Sequence, residues 1–430
     1  METAAGYTSS FVPLASAPRN PHPKTSQRQE FPMPSTPRET PRRDSPRRYA
    51  VKSEDYRFTF EAGEYRYEVT EPLVLHPYYD TLFIAWRRLI SGGPRHMVEL
   101  KKVNMVPGRD ARASAREEVR LASLLRHPKI ARVHDFIVNK GIPYVVMEHM
   151  KGCFLLTVTH AAALVEKRLS PAFSVYVAAE VADALEYAHN AENETGAPLR
   201  LVHRAVGPLR IRLGADGRVK LCNLGAAYSE LAGRMVTPRD LLRGDPAYIA
   251  PELLRSMWAA LESKTDPLTP RELDGRADIF SLGLVLLEML TAKYPLDPLG
   301  LVPSRPATRF PQGLRAERPT WVELEVLFNR VLSFGPEEIE RQAELVPEPL
   351  RKILGKALQP NPENRYSTAA EMRDDLRFYL RASGASSFGR LEVAAERKAI
   401  LNEAAERKLL AAQTVERGVL PNPEEFLDNG

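Results

Sequence analysis

Residues 201–225 read LVHRAVGPLRIRLGADGRVKLCNLG, and this stretch decides the architecture that we predict for the whole chain. Asp216-Gly217, near its middle, is the kind of two-residue turn that joins antiparallel strands. We therefore predict a short strand pair around this turn. The chain before Gly152 has the character of strands, whereas the chain after it has the character of helices.

Upstream of the turn, from about Tyr65, short stretches rich in Val, Ile, Tyr and Phe are separated by turn residues. They predict a run of antiparallel strands at 65–75, 81–88, 96–104, 132–138 and 143–149. Residues 110–126 interrupt this run. Their apolar residues recur near a 3.6-residue period and predict a helix that is stopped by His127-Pro128.

After Gly152 the apolar spacing is helical. It predicts amphipathic helices at 170–190, 278–292, 347–358 and 367–382. Residues 390–417 are also helix-prone, but their ten-residue sequence repeat is neither heptad nor hendecad, which argues against a regular coiled coil. We expect this last helix to dock on its own domain, with partner binding as the alternative.

The composition excludes several classes of protein. A chain of 430 residues is long enough for two or three structural units, and 43% hydrophobic with 27% charged residues is typical of soluble globular proteins. No apolar run approaches the roughly 20 residues of a membrane-spanning helix. Two cysteines cannot build a disulfide framework, and the start of the chain lacks a secretory signal pattern, so we expect a cytoplasmic protein. A net charge of +5 is modest for a nucleic-acid binder, and we expect none as a partner.

Residues 1–55 are expected to form a disordered Pro/Arg-rich arm. The first 50 residues hold nine of the 36 prolines and few branched aliphatic side chains, so they cannot bury enough apolar area to offset their ordering entropy. A small Thr-Pro-Arg or Ser-Pro-Arg unit recurs at Thr36, Thr40 and Ser45. These three are candidate phosphoacceptors, because neighbouring arginines would pair with an added phosphate. A basic docking strip and a plain Pro-rich linker remain the alternatives.

Four local motifs follow one another in a characteristic order. They are Leu201-Val202-His203-Arg204-Ala205, Val219-Lys220-Leu221-Cys222-Asn223-Leu224-Gly225, Tyr248-Ile249-Ala250-Pro251-Glu252 and Asp278-Ile279-Phe280-Ser281-Leu282-Gly283. Each is weak alone, but together and in this order the chain resembles, over roughly residues 65–382, the bacterial eukaryotic-like (Hanks-type) serine/threonine protein kinases.

The resemblance implies a bilobal, protein-kinase-like α+β fold. A small antiparallel β-rich N-lobe with one helix is expected at 65–150, and a large helical C-lobe at 151–382. Residues 383–430 would form a C-terminal helix and tail.

The same resemblance implies a nucleotide pocket. Lys101, in Val98-Glu99-Leu100-Lys101, takes the place of the lysine that holds the α- and β-phosphates, and Glu118 that of its ionic partner. Glu148 and Met150 belong to the hinge whose backbone would meet an adenine edge, and Leu82 would cover the adenine ring. A surface salt bridge and ordinary core packing are the alternatives for these positions.

Three further positions are implied to be structural. Glu252 and Arg365 match the family's buried ion pair in the helical lobe. Asp278 matches the carboxylate that braces the backbone of the catalytic loop.

The chain departs from the family where phosphoryl transfer needs oxygen ligands. Ala205 stands in place of the catalytic aspartate, Arg210 in place of the metal-binding asparagine, and Asn223 in place of the Asp-Phe-Gly aspartate. The equivalent of the glycine-rich loop, residues 73–80, contains no glycine. Pro77 there also lacks an N–H donor. We therefore predict no catalytic residue and no metal site.

From these departures we predict a pseudokinase, a protein that is not an enzyme and acts as a scaffold or allosteric regulator in serine/threonine phospho-signalling. We expect no cofactor. The prediction is compatible with weak binding of ATP, whose dependence on Mg²⁺ would be doubtful. The alternative is an atypical, weakly active serine/threonine kinase that binds ATP through Lys101. Expected partners are other signalling proteins, among them an active serine/threonine kinase that would make this chain its substrate.

Two narrower questions stay open at this stage. Arg210 either neutralises phosphate without Mg²⁺ or simply pairs with an acidic neighbour and fills the cleft. Residues 255–275, with Pro267 and Pro270, are either a docking insertion or a tolerated surface loop.

Overall fold

The computed structural model describes residues 57–74, 81–103, 111–223, 241–242, 245–263, 273–296, 315–316 and 324–407. Its first part is a curled antiparallel sheet of six strands in the order β1-β2-β3-β4-β6-β5, with one helix. The elements are β1 (Phe58–Ala62), β2 (Tyr65–Val74), β3 (Leu82–Leu89), β4 (His96–Lys102), α1 (Ala111–Leu124), β5 (Val133–Asn139) and β6 (Ile142–Glu148).

The period of two along β3 and β4 decides which side chains face the second lobe. Phe83 and Leu100 point into an apolar cluster inside the curled sheet. Their neighbours in sequence therefore point to the opposite face, where Leu82 joins the main core. Glu99 and Lys101 alternate with Leu100 in the same way, so two charged side chains face the cleft.

The second part is mainly helical. Its elements are β7 (Gly152–Phe154), α2 (Leu155–Leu164), α3 (Pro171–His189), β8 (Ile211–Gly214), β9 (Val219–Leu221), β10 (Leu241–Leu242), α4 (Pro251–Ser263), α5 (Arg276–Thr291), β11 (Arg315–Ala316), α6 (Leu324–Ser333), α7 (Pro336–Gln342), α8 (Glu348–Ala357), α9 (Ala369–Ala382) and α10 (Arg390–Glu406). Helix α5 is buried on all sides, as expected of a helix that is apolar around its whole circumference. The predicted bilobal α+β fold is confirmed.

The strand pair at Asp216-Gly217 forms as β8 and β9, and β7 joins it to make a three-stranded antiparallel sheet. Gly152, at the start of β7, has φ +154°, and a Cβ there would lie 2.0 Å from the carbonyl oxygen of Leu213. Only glycine fits this close approach. The sheet carries Arg212 on β8, directly opposite Phe154.

Helix α10 packs on α2 and α3 of its own domain. Glu396 accepts hydrogen bonds from the backbone N and the Oγ of Ser170, both at 2.6 Å, and so ties α10 to the first turn of α3. Ile400 and Leu401 on the inner face of α10 are buried. Residues 408–430, including the end of the predicted helix at 390–417, lie outside the described residues.

Several elements differ from the sequence predictions. Strand β1 precedes the predicted start at Tyr65, and helix α2 was not predicted. Helix α2 reads LLTVTHAAAL and is buried on nearly all sides, so its sequence carries no amphipathic period. The surface-loop alternative for 255–275 is wrong in its first part, because α4 continues as a helix to Ser263. Residues 264–272 lie outside the described residues.

No helix in the described part of the chain is long and apolar enough to cross a bilayer.

Candidate active site

Lys101 and Asn223 meet in the cleft between the lobes. Lys101, on β4, is only 6% exposed, and its Nζ donates a hydrogen bond to Oδ1 of Asn223 at 3.0 Å. Asn223 follows β9 with φ +61°, a left-handed conformation that asparagine tolerates better than most residues. The lysine of the N-lobe and the residue at the Asp-Phe-Gly position are thus in direct contact. Glu118 lies on α1, but its side chain is outside the described part of the structure.

Asp278 holds the segment that carries Ala205. It is fully buried on α5, and its two carboxylate oxygens accept hydrogen bonds from the backbone N of His203 and of Arg204, each at 2.8 Å. Nε2 of His189 lies 2.9 Å from the same carboxylate. Burial would raise the pKa of Asp278, but hydrogen bonds and charge from the histidines outweigh it and leave the pKa below its ordinary value. The ionised carboxylate therefore fixes the loop backbone.

The positions that would hold a metal ion do not fit Mg²⁺. A magnesium site needs several oxygen ligands in octahedral arrangement. Here Ala205 offers a methyl group, Arg210 a cation, and Asn223 one carboxamide oxygen that already accepts from Lys101. Within the described ranges, no group of three or more His, Cys, Asp or Glu residues is placed to bind a metal. These three side chains therefore do not supply the ligand set of a magnesium ion.

The cleft itself encloses about 600 Å³ of space, part of which is open to solvent. Three of the predicted nucleotide-pocket residues, Leu82, Glu148 and Met150, line it. Arg210 and Asn223 line it too. The remaining lining residues are Glu99, Ala131, Met147, Phe154, Leu209, Arg212, Lys220 and Cys222.

Two ion pairs in this cleft were not found from the sequence. Arg212 on β8 pairs with Glu99 on β4 at 2.9 Å, and Lys220 on β9 donates to both oxygens of Glu148 at 2.7 and 2.8 Å. Burial raises the pKa of Glu148. The hydrogen bond from Lys220 and other contacts lower it by more than burial raises it, so the pKa lies below its usual range. The sequence did contain a signal for these pairs, since Glu99, Arg212 and Lys220 each lie within an apolar strand. A charged side chain that is buried in this way needs a partner of opposite charge.

Two further ionisable groups near the cleft, Cys222 and His203, are not poised as a nucleophile or a base. Burial raises the pKa of the Cys222 thiol to about 11 and lowers the pKa of His203 to about 4. At neutral pH the thiol is therefore protonated and the imidazole is neutral. Cys222 and Cys153 are both buried thiols that form no disulfide among the described residues.

Arg365 and Glu252 form a two-pronged pair in the C-lobe, with both N···O distances 2.7 Å. The Arg365 side chain is completely buried and also donates to the carbonyl oxygens of Gln359 and Arg276. Its guanidinium lies over the ring of Phe280. This pair links α4, α5 and the segment before α9.

Several predicted positions cannot be placed. Thr36, Thr40 and Ser45, together with the rest of the arm at 1–55, lie outside the described residues. So do residues 75–80 of the segment that replaces the glycine-rich loop.

Comparison with known proteins identifies the family to which the chain belongs. A family model described as "Protein kinase domain" matches residues 90–376. The tyrosine-protein kinase MasK of Myxococcus xanthus is 30% identical over 266 residues, which are 62% of this chain and 35% of MasK. The serine/threonine-protein kinase PknB of Mycolicibacterium smegmatis is 29% identical over 266 residues, 61% of this chain and 35% of PknB. The chain spans about a third of the length of these relatives.

Among solved structures, the PknI kinase domain of Mycobacterium tuberculosis aligns with a TM-score of 0.46 and 20% sequence identity. The alignment covers 74% of this chain and 96% of that domain.

The prediction that the chain is not an enzyme is wrong. The matched family model is a kinase domain, and the relatives are named as tyrosine and serine/threonine kinases, so the comparisons point to an enzyme. The prediction rested on Ala205, Arg210 and Asn223, which remove groups that assist the reaction. Such losses reduce a rate, but positioning and electrostatic stabilisation by the rest of a site leave residual catalysis.

Proposed function

The chain belongs to the protein kinase family, and on that premise we propose that it is an atypical, slow serine/threonine protein kinase that binds ATP through Lys101. Its sequence is similar to bacterial serine/threonine kinases such as PknB. Because the matched part is about a third of those relatives, the activity of this chain is inferred from its own cleft.

The contact between Lys101 and Asn223 supports this function most directly. Lys101 brings a buried cationic group to the cleft, and its contact at position 223 is a neutral carboxamide rather than the carboxylate of an aspartate. The ammonium is therefore suited to bind phosphate oxygens as a point charge.

Arg210 supplies the second cationic group. It is buried at the end of a short 3-10 turn, Pro208–Arg210, and lines the same cleft. A guanidinium can contact two phosphate oxygens at once. In this proposal Lys101 and Arg210 together balance the charge of the triphosphate that Mg²⁺ balances in other kinases.

The proposed reaction is in-line transfer of the γ-phosphoryl group. The acceptor hydroxyl oxygen bonds to the γ-phosphorus while the bond between that phosphorus and the bridging oxygen breaks, so that ADP leaves. Ala205 cannot take the hydroxyl proton, which passes to solvent. Because a positioned base contributes about 10²–10⁴-fold and kinases turn over at about 1–100 per second, we expect roughly 10⁻⁴ to 1 per second.

The substrates in this proposal are proteins that present serine or threonine, as a kinase domain suggests signalling partners in general. Thr36, Thr40 and Ser45 of the same chain are candidates for self-phosphorylation. A cytoplasmic location, predicted from the sequence, belongs to the same proposal because the reaction consumes ATP.

The test is incorporation of γ-labelled phosphate into the chain and into serine- and threonine-containing proteins. It is run with Mg²⁺, with Mn²⁺ and with EDTA, followed by phosphoamino-acid analysis. We expect slow incorporation on serine and threonine that persists in EDTA. Label on tyrosine alone would instead agree with the activity named for MasK and would overturn the serine/threonine assignment.

The control uses two neighbouring lysines. Lys101→Ala should abolish incorporation. Lys102→Ala alters the adjacent residue of β4 and should leave it unchanged, because successive side chains of a strand point to opposite faces of the sheet. No incorporation by the natural protein under any of the three conditions, or equal incorporation by Lys101→Ala, would refute the proposed function.

A further inference from the structure

The base-binding part of the cleft contains a buried ion pair that joins the two lobes. Glu99 on β4 and Arg212 on β8 lie 2.9 Å apart, and their side chains are only 6% and 3% exposed. Both residues line the cleft beside Leu82 and Met150. Those two positions are where the resemblance places the covering and the hinge edge of an adenine ring.

The pair is anchored at the hinge. The Nη2 of Arg212 also donates to the carbonyl oxygen of Met150 at 2.7 Å, and the guanidinium lies 4.6 Å from the centre of the Phe154 ring. His149 Nδ1 lies 3.3 Å from the Glu99 carboxylate, although the two are not aligned for a hydrogen bond. Arg212 Nη1 is buried and has no hydrogen-bond partner among the described residues.

The distance excludes an aromatic base between these two side chains. A ring that contacts one group on each face needs about 7 Å between them, twice the van der Waals separation of about 3.5 Å. Glu99 and Arg212 are less than half that distance apart. The Met150 carbonyl, an acceptor on the hinge edge, is occupied as well. A base can enter this slot only after Arg212 moves.

We propose that the Glu99–Arg212 pair is a latch that closes the base-binding part of the cleft and must open before a nucleotide binds. This inference rests on the proposed function, whose regulation it describes. A cleft that is open for only about 1–10% of the time binds its ligand about 10–100-fold more weakly than a permanently open one. The latch therefore reduces the apparent affinity for the nucleotide, and any partner that pulls Arg212 away raises it.

The test compares the natural protein with the double variant Glu99→Ala/Arg212→Leu. Removing both members avoids leaving a buried charge without its partner. Affinities for adenosine and for ATP are measured by calorimetry. We expect both ligands to bind at least about tenfold more tightly to the double variant. The matched control Arg218→Leu, an exposed position after the turn between β8 and β9, should bind like the natural protein.

Adenosine separates this inference from the proposed function, because it carries no phosphate and needs neither Lys101 nor Arg210. Tighter adenosine binding without any phosphoryl transfer would refute the proposed function and support the latch. Transfer that depends on Lys101, together with equal affinities in the double variant and the natural protein, would overturn the latch alone. Absence of adenosine binding to both proteins would also overturn it.

A second variant keeps the latch testable if the double variant does not fold. Glu99→Gln preserves the shape of the side chain and removes its charge, so Arg212 is held less tightly. We expect a smaller gain in adenosine affinity, of about twofold or more. An affinity equal to that of the natural protein, in a sample with an unchanged circular dichroism spectrum, would count against the latch.

Discussion

Glu288 makes the stability of the C-lobe dependent on pH near neutrality. It lies on α5 with 5% of its surface exposed, and its Oε2 accepts a hydrogen bond from the hydroxyl of Tyr248 at 2.6 Å. Burial raises the pKa of this carboxyl to about 7, and the hydrogen bonds from Tyr248 and Thr159 only partly oppose that increase. The folded protein therefore holds a proton that the unfolded chain releases.

The sign of the effect follows from proton linkage. Between the ordinary pKa of 4.5 and about 7, the folded state binds more protons at Glu288 than the unfolded state does. The associated stability is fully present below pH 4.5 and is lost as the pH rises through about 7. A difference of about 2.5 pKa units, at 1.36 kcal/mol each, corresponds to about 3 kcal/mol.

The variant Glu288→Gln removes this titration and keeps the shape of the side chain. We expect the free energy of unfolding of the natural protein to fall by about 2–3 kcal/mol relative to the variant between pH 5 and pH 8. Urea unfolding of the full chain at several pH values measures the difference, with Glu337→Gln, an exposed glutamate on α7, as the control. Parallel stability curves for the natural protein and Glu288→Gln would refute the reasoning.

Two further predictions concern the frame around the cleft. Arg365→Met leaves Glu252, whose side chain is 15% exposed, without its partner and should reduce the free energy of unfolding in urea by about 3 kcal/mol. Arg381→Met, at an exposed position, should change it by less than about 0.5 kcal/mol. Equal losses in the two variants would contradict this. Gly217→Ala places a Cβ 1.7 Å from the carbonyl oxygen of Arg390 at φ +77°, so it should displace the start of α10 and destabilise the protein by at least about 1 kcal/mol. Hydrogen exchange should show lost protection in α10, and unchanged protection there would disprove the contact.

Much of the fold could be predicted because its signals are local. The predicted strand at 65–75 and helix at 170–190 differ from β2 and α3 by one residue at some ends. A proline or an N-cap serine marks such an end within one turn of the chain: Ser170 accepts from the backbone N of Phe173, and Pro171 follows it. Helix α2 lacked such a signal because it is apolar on every side.

The candidate site was predicted unevenly. Lys101, Ala205, Arg210 and Asn223 were located by their place in short motifs, which are contiguous in sequence. The bracing of the loop by Asp278 was expected from the resemblance, and the structure shows its hydrogen bonds to the backbone N of His203 and Arg204. The pairing of Lys101 with Asn223 and the partners of the cleft charges appeared only in the structure.

The amino-acid order alone was sufficient for the family resemblance, the bilobal architecture and the substitutions at the catalytic positions, because each of these depends on residue identity within a short window. The occupation of the base-binding slot depends on the tertiary structure. Glu99 and Arg212 are 113 residues apart, and the 2.9 Å between them exists only once β4 and β8 are placed on opposite sides of one cleft. No local pattern encodes that distance, since it is set by how the two lobes pack against each other.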